Sequence, residues 1–151
     1  MTVFKKKQSE LFAKLGEAKL MVLSTAAQER VSSRMMSIII AEGKFYFQTD
    51  RRLRKYRQLC ENPNIALCAD NVQIEGTCTE LGSPMENESF AALFEKNFQS
   101  SYNAYSKMAD ERLFVIEPSY IERWIYEENE PFIETYDFAA GTYKKKAYVY
   151  K

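Results

Sequence analysis

Histidine occurs nowhere in the 151 residues. Its absence removes the commonest general base, the commonest zinc ligand and the usual proximal haem ligand. Ser–His–Asp and Cys–His catalysis are excluded, and no metal site is expected. Any redox or group-transfer chemistry then has to come from a cofactor. Net charge is missing as well: 21 basic residues balance 21 acidic ones, so no global field draws the chain to nucleic acid or to a membrane. Only three cysteines are present, Cys60, Cys68 and Cys78, odd in number and without CxxC spacing. They read as reduced thiols in a core. No apolar run is long enough to span a bilayer. The N-terminal MTVFKKKQSELF carries charge but no apolar h-region, so a secretory signal is not expected and a cytoplasmic location is. There are no repeats, linkers or low-complexity tracts. Hydrophobic content of 46% and aromatic content of 14% suit a packed core, and a single domain over residues 1–151 is expected.

What the chain does have is concentrated charge. Residues 45–63, FYFQTDRRLRKYRQLCENP, read as a strand ending at Gln48–Thr49–Asp50, with Thr49 or Asp50 capping a helix. Arg51, Arg52, Arg54, Lys55 and Arg57 then crowd its first two turns, and Asn62–Pro63 ends it. Cations normally favour a helix C-terminus, so five near the N-terminus oppose the dipole. A phosphate would resolve the conflict, accepting from free backbone N–H groups and pairing with the basic side chains. A solvated basic face is the alternative that charge alone leaves open.

Around this stretch the pattern is mostly β. Lys5–Ala18 reads as an amphipathic helix with Leu11, Phe12 and Leu15 on one stripe, and Lys19–Thr25 as a buried strand. Ala26–Arg30 reads as a turn and Val31–Ala41 as a second strand, joined to the third through Glu42–Gly43. Arg34 stands between apolar residues. It reads either as an edge charge with a solvated head or as a phosphate ligand projecting from the sheet. Asn64–Ala69 is a fourth strand. From Val72 to Leu81 the residues alternate, Val72, Ile74, Gly76 and Cys78 facing one way and Gln73, Glu75, Thr77 and Thr79 the other. Gly76 within that strand signals a bulge or a close backbone approach. Ser83–Pro84–Met85–Glu86 reads as a capped helix start running to about Phe98, with Phe90, Leu93, Phe94 and Phe98 as core. Gln99–Asp110 is less regular. Arg112–Pro118 and Ile121–Tyr126 read as separate strands, and Pro131–Lys151, with Tyr143, Tyr148, Tyr150 and Lys144–Lys146, as a loop and a terminal strand. The sum is an α+β fold, an antiparallel, closed or partly closed barrel of six to seven strands with flanking helices.

Taken in order, Ser32–Ser33–Arg34–Met35–Met36, Gln48–Thr49, Arg54–Lys55, Asn62–Pro63 and Val72–Gln73–Ile74–Glu75–Gly76 closely resemble the pyridoxamine 5′-phosphate oxidase-like FMN-binding split barrels. The match is best over residues 20–82. The C-terminal third looks more like the small nitroimidazole-reductase-type and general-stress-type members. The resemblance implies a Greek-key split barrel binding FMN. It carries Arg34, Met35, Met36 and Ser37 over to the strand that lines the isoalloxazine and reaches the phosphate, Gln48 and Thr49 to the flavin ring or ribityl chain, Arg54 and Lys55 to the phosphate, and Gln73 to the remaining strand contact. It also implies a homodimer with two FMN sites across the interface, and a small-molecule substrate. FMN is the expected cofactor, with FAD or a deazaflavin behind it.

The departures are informative. Leu53 stands where the family's oxidases often have Ser before the Arg-Lys pair. Their C-terminal Arg-Xaa-His motif cannot exist here, so pyridoxal phosphate synthesis is not expected. No residue emerges as catalytic acid or base, although Tyr102, Tyr105 and Tyr126 are available donors. Two other readings remain: an FMN-binding redox sensor or flavin store without turnover, and a nucleic-acid-binding barrel using Arg51–Arg57 with Tyr46 and Tyr56. Neutral net charge disfavours the last.

Overall fold

The computed structural model describes residues 1–149. Helix α1 spans Val3–Leu15 and is followed by β1 (Ala18–Ala27), β2 (Arg30–Ala41) and β3 (Lys44–Asp50). Helix α2 (Arg54–Glu61) leads to β4 (Asn64–Ala69) and β5 (Val72–Gly82). A 3-10 turn at Pro84–Glu86, α3 (Glu88–Asn97) and α4 (Gln99–Tyr105) precede β6 (Glu111–Glu127), β7 (Glu130–Asp137) and β8 (Thr142–Ala147).

All ladders are antiparallel, in the order β3-β2-β1-β4-β5-β6-β7-β8. A further β3–β6 pairing closes the first six strands into a barrel, leaving β7 and β8 as an extension of its wall. Three hairpin-connected strands followed by a fourth that returns beside the first define a Greek key. The fold is therefore an α+β antiparallel split barrel with flanking helices. Among the described residues the closed barrel has six strands, as expected, and the tail adds β7 and β8 to its wall. Tyr150, named with that tail, lies outside the described residues.

Closure is incomplete at one place that matters. β2 pairs with β3 over only Ile39↔Tyr46, Ile40↔Phe45 and Ala41↔Lys44. Continued, that register would set Ser37 against Gln48, but the strands part. β2 stays paired with β1 along its other edge from Arg30 to Ile39. Its β3-facing edge from Arg30 to Ile38 is open, with backbone groups that need a partner or water.

The interior follows from alternation. Met36, Ile38, Ile40, Phe45, Phe47, Ile74, Phe114 and Ile116 point inward, joined by Phe4, Leu11 and Leu15 of α1. A second cluster lies outside the wall, where Phe90 and Phe94 of α3 and Tyr102 of α4 cover Ile39 and Leu113. The sequence placed α3 correctly as core packing but not its start. Ser83 caps only the 3-10 turn, accepting from Met85 N at 3.2 Å, and Asn87 caps α3, accepting from Phe90 N at 2.9 Å.

β6 runs unbroken through Pro118, where the sequence suggested two strands. An extra residue, Ser119, is absorbed as a bulge between the Gly76↔Pro118 and Glu75↔Tyr120 pairs. Gly76 sits opposite because a Cβ there would lie 2.6 Å from the Glu117 carbonyl oxygen, the close approach its position in the strand signalled. The turn before β2 is also tighter than Ala26–Arg30: β1 continues to Ala27, leaving Gln28 and Glu29 at φ 52° and 63°.

Candidate functional site

The helix of the basic stretch begins later than its sequence suggested. Thr49 and Asp50 belong to β3, and the N-cap is Leu53, which gives no side-chain cap hydrogen bond. Arg51 and Arg52 fall in the preceding turn and are neutralised there. Arg51 Nε meets Asp110 Oδ1 at 2.7 Å, and Arg52 Nη2 meets Asp50 Oδ2 at 2.7 Å. Hydrogen bonds from Arg52 hold the Asp50 carboxyl down to about 2. The five-cation crowd is thereby reduced to Arg54, Lys55 and Arg57 on α2 itself.

Arg34 comes to meet them. On β2 the inward residues Ser32, Arg34, Met36 and Ile38 grow more buried from the barrel mouth toward its core. The Arg34 guanidinium donates from Nη1 to Leu23 O at 3.1 Å and Thr25 Oγ1 at 3.0 Å, and from Nη2 to Gln58 Oε1 at 3.3 Å. Thr25 in turn donates to Gln58 Oε1 at 2.7 Å. Arg54 Nη2 and Gln58 Nε2 both reach Ser32 Oγ, at 3.0 and 3.3 Å. Two guanidiniums thus share one small polar network at the barrel mouth.

No carboxylate hydrogen-bonds into that network among the described residues. Among the described residues the ion pairs engage neither Arg34, Arg54 nor Lys55. Burial, and then the Arg54 charge, lowers the Arg34 pKa. Lys55 is half-buried with its ammonium 3.3 Å from Met36 Sδ, and burial followed by the Arg34 charge lowers its pKa too, with the Glu111 carboxylate partly opposing. Unneutralised cations drawn this close are electrostatically unfavourable unless an anion joins them. That arrangement suits phosphate.

The other sequence candidates lie on different surfaces. Met35 and Ser37 point outward from β2, with Met35 58% exposed. Gln73 is exposed on β5, in the cross-strand row Met35–Val22–Cys68–Gln73, three strands along the same outer face. Gln48 is buried outside the wall, where its Nε2 donates to Glu111 Oε2 and its Oε1 accepts from Ser106 Oγ, both at 2.8 Å. Burial pushes the Glu111 carboxyl up, with Asp50 adding to the shift and Lys55 opposing it. Thr49 is buried, and its Oγ1 is the buried side-chain polar atom left without a partner among the described residues. It stands on β3 at the gap where β2 and β3 part, an orphaned hydroxyl of the kind that a ligand would satisfy.

Three residues complete the network: Thr25 and Gln58, which sequence reasoning passed over, and Ser32, which opens the quoted motif without a role of its own. Two of them had a positional signal. Ser32 precedes Arg34 by two on the same strand face, and Gln58 follows Arg54 by four on the same helix face. The thiols also differ from expectation, since Cys78 is buried but Cys60 and Cys68 are exposed.

The fold recurs among known proteins. The family model for pyridoxamine 5′-phosphate oxidase matches residues 6–125. A pyridoxamine 5′-phosphate oxidase-related, FMN-binding protein from Nostoc punctiforme PCC 73102 superposes with TM-score 0.64 at 12% identity, over 99% of this chain and 98% of that one. The general stress protein 26 of Bacillus anthracis gives 0.59 at 20% identity, over 79% and 92%. The heme storage protein HutZ of Vibrio cholerae gives 0.59 at 17%, over 75% and 89%. At such identities the structures speak for the shared fold. Among curated proteins none matches. The family match, spanning barrel strands β1 to β5 and most of β6 as well as the basic helix, settles descent: the chain belongs to the pyridoxamine 5′-phosphate oxidase family.

Proposed function

We propose that this protein binds FMN in the gap between β2 and β3 and works as a flavin-dependent oxidoreductase on a small molecule. The observation that carries this reading is the meeting of Arg34, Arg54 and Lys55 at the barrel mouth, none of them ion-paired among the described residues, beside an open strand edge. The three cations would hold the phosphate, with Ser32 as a hydroxyl donor where the chain has Leu53 in place of the family's Ser. The unpaired edge of β2 near Met35–Ser37 offers backbone N–H and C=O groups to the ring, and Thr49 Oγ1 offers a buried hydroxyl. FMN would supply hydride or electron transfer. Met36 and the surrounding core limit water at the inner end of the site.

A homodimer belongs to the same proposal. Leu20, Val31 and Met35 stand 56%, 72% and 58% exposed on one outer face of β1 and β2, and that face also carries Gln73. A second copy laid there would bury the patch and bring another chain's residues to the open edge. No helix among the described residues is long and apolar enough to cross a membrane. We place the protein in the cytoplasm, where exposed Cys60 and Cys68 stay reduced.

The test is an absorbance spectrum of the purified protein with and without added FMN, beside its gel-filtration mass. Bound oxidised flavin and a dimer mass support the proposal. A colourless protein indifferent to FMN would sink it. Oxidation of NAD(P)H with added acceptors then separates an oxidoreductase from a flavin store.

A further inference from the structure

The barrel mouth opens into a second basic cleft that a single phosphate does not use. It lies between the β1–β2 turn and α2, has a volume of about 310 Å³, and is lined by Gln28, Arg30, Arg54, Arg57, Gln58 and Glu61. Such a volume exceeds one phosphate and reaches the lower end of small-ligand sites.

Three guanidiniums face this cleft, and among the described residues none is ion-paired to a carboxylate. A few residues away, Arg51 and Arg52 are matched to Asp110 and Asp50. The cleft's one acid, Glu61, is already engaged, accepting from Gln28 Nε2 at 3.3 and 3.4 Å. Gln28 sits in a turn whose two central residues, neither of them glycine, hold left-handed φ of 52° and 63°. The turn sets Gln28 against Glu61 and Arg30 beside α2.

The two basic sites are continuous. Arg54 lines the cleft and also donates to Ser32 in the inner network. Gln58 lines it while bonding Ser32, Thr25 and Arg34. A guanidinium fork that serves two neighbouring anionic groups suits adjacent phosphates better than isolated ones.

We infer that this cleft takes the second phosphate of a pyrophosphate-bearing ligand whose first phosphate lies at Arg34, Arg54 and Lys55. The inference rests on the phosphate site proposed above and names the ligand class that the site accepts. A flavin dinucleotide and a nicotinamide dinucleotide both carry that group.

The experiment is calorimetric titration of the purified chain with inorganic phosphate and with pyrophosphate, for the native protein and for Arg30→Gln/Arg57→Gln. Both arginines are exposed, so the variant keeps its core. In the native chain pyrophosphate binds about tenfold tighter than phosphate or better, the gain expected from at least one added charge-assisted contact of about 1.5 kcal/mol. In the variant that advantage falls to about twofold or less, while phosphate affinity holds. Phosphate binding with no pyrophosphate advantage overturns this inference and leaves the FMN proposal standing. Loss of all phosphate binding in the native chain overturns both.

Two further arms identify the source. A fall in the FAD-to-FMN affinity ratio in the variant supports the flavin dinucleotide. Weaker NADPH binding to the FMN-free variant, at an unchanged FAD-to-FMN affinity ratio, supports the nicotinamide one. A variant that changes neither overturns the assignment.

Discussion

The Arg34 guanidinium donates to the side-chain carbonyl of Gln58 at 3.3 Å, joining β2 to α2 across 24 residues of sequence. Gln58 also accepts from Thr25 and donates to Ser32, so one buried amide ties the strand hairpin to the helix that closes the barrel mouth. A neutral amide makes these contacts without cancelling the charge of Arg34.

Gln58→Glu separates structure from binding. The substitution keeps the acceptors for Thr25 and Arg34 but installs a counter-ion where the anion is proposed to sit. Thermal unfolding should show a folded protein of near-native stability, while FMN affinity drops by about tenfold or more, the worth of about 1.4 kcal/mol. Unchanged affinity in equilibrium titration would remove the phosphate from this network.

Arg54→Ala and Lys55→Ala should each weaken FMN by about tenfold to a hundredfold, since a hydrogen bond to a charged group contributes about 1.5–3 kcal/mol. Riboflavin, which lacks the phosphate, serves as control and should bind the variants as it binds the native chain. An equal loss for both ligands would place these cations elsewhere than on the phosphate.

Gly76→Ala tests the bulge. The added methyl would meet the Glu117 carbonyl oxygen at 2.6 Å and Ile116 Cγ2 at 3.0 Å, where backbone leaves little room to yield. A loss of about 1–3 kcal/mol is expected from overpacking, read as a lower urea midpoint at an unchanged slope.

The outer face of β1 and β2 predicts assembly. Leu20→Asp with Val31→Asp puts two charges on the apolar patch without touching the core, because both side chains are exposed. Sedimentation should show dimers for the native chain and monomers for the variant. Monomers in both would leave the patch without the proposed partner.

Glu111 gives a pH dependence with a definite sign. Its folded pKa is raised above the ordinary 4.5, chiefly by burial, so the folded chain holds this proton more tightly than the unfolded one. The stability it contributes is present below about 4.5 and is lost as pH rises through the folded value. Glu111→Gln has no such proton to lose. Its urea midpoint relative to the native chain should rise between pH 4.5 and neutrality, and a constant difference would refute the shift. Tyr56 acts at the other end of the scale. Its hydroxyl donates to Glu80 and is pushed up to about 12, so the stability it adds holds below 10 and fades as pH climbs through about 12.

The alternation in residues 72–79 by itself determined a face, because successive strand residues must point to opposite sides. Val72, Ile74, Gly76 and Cys78 are indeed buried and the residues between them exposed. The apolar stripe of α1 and the aromatic face of α3 were legible for the same local reason, and so was the ordered set of motifs that marks the family. The absence of histidine set the chemistry that a side chain can do. Local pattern could not decide what long-range pairing decides. Pro118 looked like a strand end because the ladder partner that absorbs it, Gly76, lies elsewhere in the sequence. Five cations looked equivalent until Asp110, 59 residues beyond Arg51, neutralised part of the cluster and left the rest facing Arg34. Charge is written residue by residue, but whether a charge stays unpaired depends on what the fold brings beside it.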